Sequence, residues 1–295
     1  AGVNHNGKDE LAFELVEAAA QAGADAVKFQ TFKTDQLVCR RAPKASYQIK
    51  QAGDTESQFE MLKNLELGEA LHRDLIRHCE AHEVQFLSTP FDLESLEFLV
   101  QQLDLPQLKM PSGEITNAPL LLKSARARKP ILLSSGMATL DEIESALGVL
   151  AFGLLQKKEA PSSKNFQRSY CLEEGQSVLR EFVTLLHCTT EYPAPLESVN
   201  LNALDTLRSA FGLRVGYSDH TTGIVASVAA VASGARVIEK HFTLDCDLDG
   251  PDHRFSLEPE EFKIMVNSIR QCELVMGDSR KIPTVGEMKN RTVVR

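Results

Sequence analysis

The sequence predicts an α/β fold closed into a (β/α)8 TIM barrel, because eight short apolar runs alternate with longer segments of helical period. The 295 residues leave room for one such domain, since a single barrel commonly takes about 250 residues. The predicted strands are Gly2 to Asn4, Ala26 to Gln30, Val84 to Ser88, Leu108 to Pro111, Ile131 to Ser134, Phe182 to His187, Val215 to Ser218 and Val237 to His241.

Helix start and stop signals lie between and after these runs. Thr139 and Glu142 form a capping box at the start of one predicted helix. The last predicted helix begins at Pro259, a favoured first-turn residue, and ends at Gly277. Such a helix would close the outer ring of the barrel.

The domain organisation follows from these bounds. We expect the barrel to occupy residues 1–277, with a first strand cut short at Ala1, and the polar residues 278–295 to form a tail or linker. Residues 156–181 are also polar and follow a helix, so they predict a surface excursion on the face opposite the strand ends, without a catalytic role.

Acidic residues outnumber basic ones. Lys and Arg total 32 against 41 for Asp and Glu, a formal charge of −9, which argues against nucleic-acid and polybasic membrane partners. The six cysteines form no Cys-x-x-Cys pair, so they predict reduced thiols in a cytoplasmic protein. No apolar run reaches the ~18 residues of a membrane span.

Two predicted strands each run into a histidine. Residues 214–220 read RVGYSDH and residues 236–241 read RVIEKH, so the segments end on His220 and His241. Because the carboxyl ends of neighbouring barrel strands meet on one face, we expect the two imidazoles to bind one metal ion. Two imidazoles with oxygen ligands suit Mn²⁺, Co²⁺ or Zn²⁺ better than Ca²⁺. A metal held there would polarise a carbonyl group.

Lys28 and Lys109 lie inside predicted strands, flanked by apolar residues. A buried ammonium group is costly unless an anion or a carboxylate meets it, so both are candidate anion ligands. Several hydroxyl groups follow neighbouring strands and suit a phosphate together with a carboxylate. They belong to Ser88, Thr89, Ser112, Ser134 and Ser135.

Other polar residues leave alternatives open. Glu114 is placed to contact a metal or activate its water, whereas Asp219 and Asp252 are either site carboxylates or turn residues. Structural and functional roles are equally open for His5 and His253. The histidines predicted to face solvent from a helix are His72, His78 and His82.

A basic stretch follows the second predicted strand, on the active-site side. It predicts either a solvated surface or a lid that holds anions. Its members are Lys33, Arg40, Arg41, Lys44 and Lys50.

Nine segments resemble the sialic acid synthase family, enzymes that condense phosphoenolpyruvate with an N-acylated amino sugar. They read GVNHNG from Gly2, GADAVKFQ from Gly23, STPF from Ser88, KMPSGE from Lys109, SSGM from Ser134, HCTTEYP from His187, GYSDHT from Gly216, EKHFT from Glu239 and GPDH from Gly250. They follow the family order, so the resemblance covers nearly the whole chain.

The resemblance implies a role for each matching residue. The implied phosphoenolpyruvate ligands are Lys28, Thr89, Lys109, Ser112, Ser134 and Ser218. The implied metal ligands are His220 and His241, with Mn²⁺ as the expected ion and Mg²⁺ or Co²⁺ as alternatives, and Glu114 borders the metal and its water. The implied amino-sugar ligands are Gln30, Tyr192 and Asp252. The residues expected to be catalytic are Glu114, His220, His241, Lys28 and Lys109.

Three features depart from the family pattern. The family's catalytic glutamate precedes the GxNH segment, and the sequence given starts after that point. Thr190 stands where some members carry Asn beside the phosphate. Most members continue into a small antifreeze-like domain whose arginine reaches the partner subunit's sugar, so the resemblance implies a homodimer and a further domain after the tail.

We therefore predict a metal-dependent condensation of phosphoenolpyruvate with N-acetylmannosamine, giving N-acetylneuraminate and phosphate. One alternative is a diacetylated amino sugar as acceptor, leading to legionaminic or pseudaminic acid. Another is a catalytically incomplete barrel that binds phosphoenolpyruvate and metal or serves in assembly.

Overall fold

Parallel strands form the centre of the molecule in the computed structural model, which describes residues 1–40, 42 and 57–294. A two-stranded sheet pairs β1 with β2, and a five-stranded sheet orders β3 to β7 consecutively, all in parallel. The strands are β1 Ala26–Thr31, β2 Gln85–Pro90, β3 Leu108–Met110, β4 Ile131–Ser134, β5 Val183–Cys188, β6 Arg214–Asp219 and β7 Ile238–Lys240. The chain therefore has an α/β fold with parallel strands.

Helices connect the strands. They are α1 Asp9–Gln21, α2 Thr34–Leu37, α3 Gln58–Asn64, α4 Glu69–Ala81, α5 Leu93–Glu97, α6 Ala118–Arg126, α7 Leu140–Leu154, α8 Ser163–Cys171, α9 Glu173–Phe182, α10 Ala203–Phe211, α11 Val225–Ala232, α12 Pro259–Met276 and α13 Val285–Val294. A π-helical turn spans Phe98–Gln102, and 3₁₀ turns span Ser112–Glu114, Leu196–Ser198 and His253–Phe255.

The burial of the strands explains their composition. All four residues of β4 are buried, as expected of a short apolar strand covered on both faces. In β1, burial alternates so that Val27, Phe29 and Thr31 are buried while Lys28 and Gln30 are half-buried on the other face. Helices α1 and α4 pack against β1 and β2 in one apolar cluster. The β1 lysine and glutamine consequently face away from that cluster.

Of the predicted first strand, Gly2 to Asn4, only Gly2 pairs with a neighbouring strand. Gly2 makes an isolated bridge with Phe29, and its N–H donates to the carbonyl of Lys28 at 2.8 Å. The chain then turns, because the N–H of Asn4 donates to Ala1 and that of Asn6 to Val3. The Asn4 amide also donates to the carbonyl of Phe242 at 2.8 Å. This loop therefore connects β1 to the segment that follows β7.

The structure confirms two predicted helix signals, the capping box at the start of α7 and both ends of α12. The Glu142 carboxylate accepts hydrogen bonds from the backbone and hydroxyl of Thr139 at the start of α7. Helix α12 begins at Pro259 and ends before Gly277, whose φ is 56°.

The predicted excursion, 156–181, contains α8 and most of α9, and α8 packs on α7. Its lack of a catalytic role stays a prediction.

The C-terminal segment differs from the expected tail without regular structure, since α13 spans Val285–Val294. That this segment leads to a further domain stays a prediction. Within the basic stretch, Arg41, Lys44 and Lys50 lie outside the described residues. Over the described ranges, none of the helices has the length and apolar character needed to cross a membrane.

Candidate active site

A carboxylate that the sequence reasoning missed, Glu239 on β7, connects Lys28 and Lys109. Its Oε1 lies 3.3 Å from Lys28 Nζ and its Oε2 3.5 Å from Lys109 Nζ. Lys109 Nζ also donates to Ser134 Oγ at 2.7 Å and to the Met110 carbonyl at 3.1 Å. Strands β1, β3, β4 and β7 therefore present polar groups to a common interior.

The charges of this cluster do not cancel. Burial opposes ionisation of Glu239, but the ammonium groups of Lys109 and Lys28 outweigh it and hold the pKa of that carboxyl well below its usual range. Burial lowers the pKa of Lys109, which is 4% exposed. Two lysine side chains face one carboxylate. The cluster can therefore accept a further anion.

Glu239 could have been found from the sequence. It lies two residues before His241, and alternate residues of a strand point to the same face. If the strand that contains Glu239, Lys240 and His241 ends on a metal ligand, Glu239 must point to the same face as His241. The lysines were recognised because they interrupt apolar runs, whereas an acidic residue near a strand end was not distinguished from a solvent-facing one.

A cradle of hydroxyl groups surrounds Gly136, in the loop after β4. Gly136 has φ 49°, and a Cβ placed there would lie 2.7 Å from Ser112 Oγ and 2.8 Å from Thr190 Oγ1. The loops after β3, β4 and β5 therefore meet at a backbone position that only glycine can occupy. Thr89, at the end of β2, has a buried hydroxyl oxygen without a hydrogen-bond partner, as expected where a ligand completes a site.

The two strand-end histidines lie side by side, with ring centroids 5.8 Å apart. His220 Nδ1 lies 2.6 Å from the Thr189 carbonyl, so Nδ1 carries the proton and Nε2 is left as a lone-pair donor. Ser218 Oγ is 3.4 Å from that Nε2. His241 Nδ1 is buried without a hydrogen-bond partner and lies 3.8 Å from Asp252 Oδ2.

These donors fit a divalent transition metal. Burial lowers the pKa of both His220 and His241, so both rings are neutral near pH 7, as metal ligands must be. After burial, the opposing charges of Glu239 and Lys109 also act on the pKa of His220.

An aromatic wall borders the histidine pair. The Tyr192 ring centroid lies 4.3 Å from that of His220 and 6.2 Å from that of His241. Phe255 packs 4.9 Å from His241. Beside them, burial raises the pKa of Asp252 to about 6. Apolar rings next to a carboxyl group that can carry a proton suit a sugar with amide and hydroxyl groups.

Asp219 proves to be a turn and core residue rather than a site carboxylate. Its side chain is fully buried, and its Oδ2 lies 3.0 Å from Lys240 Nζ. It also accepts hydrogen bonds from the backbone and hydroxyl of Thr221, both at 2.8 Å, and from Ser227 Oγ at 2.6 Å. These partners saturate the carboxylate and tie β6 to β7.

Two further predicted residues have no contact among the described residues that defines their role. Glu114 ends the 3₁₀ turn after β3, and its carboxylate accepts a 2.6 Å hydrogen bond from Asn117. Gln30 lies on the same face of β1 as Lys28. Their contacts with a metal and a sugar stay predictions.

The remaining histidines are mostly structural. His253 contacts Thr243 Oγ1 at 2.6 Å and Asn6 Oδ1 at 3.0 Å, and His5 Nδ1 accepts from the Gly7 N–H. Burial lowers the pKa of His5 and of His253 to about 4. The prediction that His72 faces solvent is wrong, because the residue is 0% exposed.

The chain is similar to known proteins over most of its length. The model of the NeuB family matches residues 15–281. The N,N'-diacetyllegionaminic acid synthase of Campylobacter jejuni is 50% identical over 100% of this chain and 81% of its own length. The enzyme of that name from Legionella pneumophila is 46% identical, over 100% of this chain and 77% of its own length.

A solved structure is also similar. The N-acetylneuraminic acid (sialic acid) synthetase of Leptospira borgpetersenii, in complex with citrate, superposes with a TM-score of 0.78 at 29% identity, covering 99% of this chain and 88% of that one. The protein is thus an enzyme, a phosphoenolpyruvate-dependent synthase that forms carbon–carbon bonds. More narrowly, the chain belongs to the NeuB family of sialic acid synthases.

Proposed function

We propose that the enzyme condenses phosphoenolpyruvate with a diacetylated amino sugar to give an N,N'-diacetyllegionaminic acid and phosphate. The observation that carries this proposal is the 50% and 46% identity to two synthases of that name. The N-acetylmannosamine acceptor predicted first has weaker support, since the N-acetylneuraminic acid synthetase is 29% identical. The acceptor is therefore revised to the alternative.

The fold part of the proposal is closure into a (β/α)8 barrel. Two contacts support it. Glu239 on β7 bridges Lys28 on β1 to Lys109 on β3, and the loop that contains Gly2 and Asn4 contacts both β1 and the segment after β7. A parallel sheet that closes on itself places every strand end on one rim, which is where the candidate residues lie.

The chain's own residues supply a phosphoenolpyruvate site. Lys28 and Lys109 offset the charge of its phosphate and carboxylate groups. The phosphate would lie in the cradle of Ser112, Gly136 and Thr190. The remaining hydroxyl groups proposed as ligands are those of Thr89, Ser134 and Ser218.

The proposed cofactor is a divalent metal, Mn²⁺ in the first place, held by His220 and His241. When bound, it supplies Lewis-acid polarisation of the acceptor's aldehyde. Asp252 and Tyr192, with Gln30, border the space where the sugar would lie. Glu114 is proposed to orient water near the metal. Homodimer assembly and a cytoplasmic location stay predictions.

The reaction divides into two bond-forming steps. Carbon 3 of phosphoenolpyruvate attacks the aldehyde carbon of the open-chain sugar, forming the new carbon–carbon bond while the aldehyde oxygen takes up a proton. Water then adds at carbon 2 of the former phosphoenolpyruvate, and inorganic phosphate leaves to generate the keto acid. Lys28 and Lys109 stay paired with the carboxylate and phosphate throughout, so the chain holds these groups in place.

A phosphate-release assay tests the proposal. Phosphoenolpyruvate is supplied with equal concentrations of a diacetylated amino sugar or of N-acetylmannosamine, and the product is weighed by mass spectrometry. We expect the larger kcat/KM with the diacetylated sugar. A larger value with N-acetylmannosamine would restore the first prediction, and phosphate release with neither sugar above the rate without acceptor would favour the binding-only barrel.

A further inference from the structure

A second cluster of metal-ligating side chains lies outside the active site, on the helices that cover β1 and β2. Glu17 on α1 faces His78 on α4 and His82 at the end of α4, and one ligand atom from each lies within 4.8 Å of the other two. Histidines four residues apart on a helix point to the same side. Their ring centroids are 4.6 Å apart.

Glu17 and His78 meet closely. His78 Nε2 lies 3.1 Å from Glu17 Oε1, and this ring nitrogen is shielded from solvent and has no hydrogen-bond partner. A buried polar atom without a hydrogen-bond partner is expected where a ligand completes a site.

Neighbouring side chains restrain His78, whereas His82 is free to change its side-chain rotamer. The Phe13 ring meets His78 edge-on, with centroids 5.0 Å apart at 74°, which restrains the imidazole. His82 is exposed, so rotation about its side-chain torsions can bring it to the separation of about 3.3 Å that ligands adopt around tetrahedral zinc. Water from the exposed side would complete the coordination of a bound ion.

We propose that Glu17, His78 and His82 form a second metal site that binds Zn²⁺, Co²⁺ or Ni²⁺ and clamps α1 to α4. Two imidazoles and one carboxylate favour these ions over Mg²⁺ and Ca²⁺, which prefer oxygen ligands. The site is independent of the active-site metal. Binding to the folded protein alone would raise its melting temperature.

The experiment separates the two sites by stoichiometry. The full chain carrying His220→Ala and His241→Ala is titrated with CoCl₂, and its bound cobalt and visible d–d absorption are measured. We expect one equivalent of cobalt, without the near-ultraviolet thiolate charge-transfer band that a cysteine site would give. Adding His82→Ala or Glu17→Gln should abolish that equivalent.

Glu14→Gln is the matched control, because it removes the same charge from the exposed face of α1; it should keep the cobalt equivalent and the rise in melting temperature. Cobalt binding that persists in both His82→Ala and Glu17→Gln would overturn the proposal. So would the absence of any bound equivalent in the parent, or equal loss in Glu14→Gln. His82 is exposed, so its variant tests the site without a risk to folding.

Discussion

Glu239 accounts for the presence of two ammonium groups in the interior. A buried charge without a partner costs several kcal/mol, and Lys109 is 4% exposed. The carboxylate of Glu239 forms ion pairs with both lysines. The proposed anion would meet two lysine side chains and one carboxylate. Glu239, which the sequence reasoning missed, thus offsets part of the charge of the two lysines proposed to bind an anion.

Lys109→Met should weaken phosphoenolpyruvate binding ~10- to 100-fold, because it removes a charge-assisted hydrogen bond. It also leaves Glu239 with one cation, so the melting temperature should fall below that of Lys109→Met/Glu239→Gln. Titration calorimetry and differential scanning calorimetry measure the two effects. Unchanged affinity would mean that Lys109 is structural.

His72 predicts a pH-dependent stability. Its Nε2 contacts Thr31 Oγ1 at 2.8 Å and its Nδ1 the Gly68 carbonyl at 2.9 Å, and burial lowers its pKa below the ordinary 6.5. As the pH is lowered, His72 in the unfolded chain therefore takes up a proton at a higher pH than His72 in the folded chain. The contribution of His72 is complete above pH 6.5 and decreases as the pH falls toward its folded pKa.

His72→Phe should therefore lower the free energy of unfolding by about 1–3 kcal/mol at pH 8, and the difference from the parent should narrow as the pH falls below 6.5. Thermal unfolding across pH 5–8 in chelated buffer measures it. The exposed His82→Phe serves as the control and should follow the parent. A difference that stays constant with pH would contradict the assignment of a neutral His72.

Individual elements place the active-site groups through contacts between loops and between strands. Three loops converge at Gly136, and β6 is joined to β7 by the buried pair Asp219 and Lys240. Each strand in that pair leads into one of the proposed metal ligands. The register of the two strands therefore decides how far apart His220 and His241 lie.

Gly136→Ala should reduce phosphoenolpyruvate affinity ~10- to 100-fold, because its Cβ would displace Ser112 and Thr190, and small displacements of ligand-binding groups carry costs of this order. Gly212→Ala is the control: it has φ 63° with no atom within 4 Å of its Cβ, so it carries the backbone strain without the clash. Isothermal calorimetry should find normal affinity in the control. Equal affinity in both variants would refute the cradle.

Lys240→Met should destabilise the protein by about 3–5 kcal/mol, because it leaves a buried carboxylate without its cation. The double variant Asp219→Asn/Lys240→Met should recover part of that loss. Thermal unfolding compares the three proteins. If the double variant loses the sum of the two single effects, the residues do not act as a pair.

The whole molecule combines a covered parallel sheet with strand ends that carry the candidate site residues. The proposed metal ligands lie at strand ends, apart from the two large apolar clusters. Removing the metal should thus affect the reaction far more than the fold. A bound metal would stabilise the folded protein only by the amount set by its concentration and its dissociation constant.

Dialysis against a chelator should abolish turnover while the far-ultraviolet circular dichroism stays unchanged, and Mn²⁺ should restore the rate. His220→Ala should not be rescued by Mn²⁺, whereas His82→Ala should be. Phosphate release and circular dichroism measure these outcomes. Metal content is checked by mass spectrometry. Full turnover after exhaustive chelation would contradict the proposal that a metal polarises the acceptor's aldehyde.

The sequence by itself determined the α/β class, seven of the strands to within two residues, and most candidate ligands. It could do so because burial imposes an apolar pattern on strands, so that Lys28 and Lys109 stand out as exceptions. Polar strand ends likewise marked His220 and His241. These are local signals, readable from neighbouring residues alone.

Only the tertiary structure decided which polar residues meet. Asp219 and Glu239 are both acidic residues near strand ends, yet one is saturated by Lys240 and hydroxyl groups while the other joins two lysines. His72 likewise became a core residue through its contact with Thr31. Their partners are separated by up to 211 positions in sequence, Lys28 to Glu239, and local patterns carry no information about such pairing because it depends on how the strands assemble.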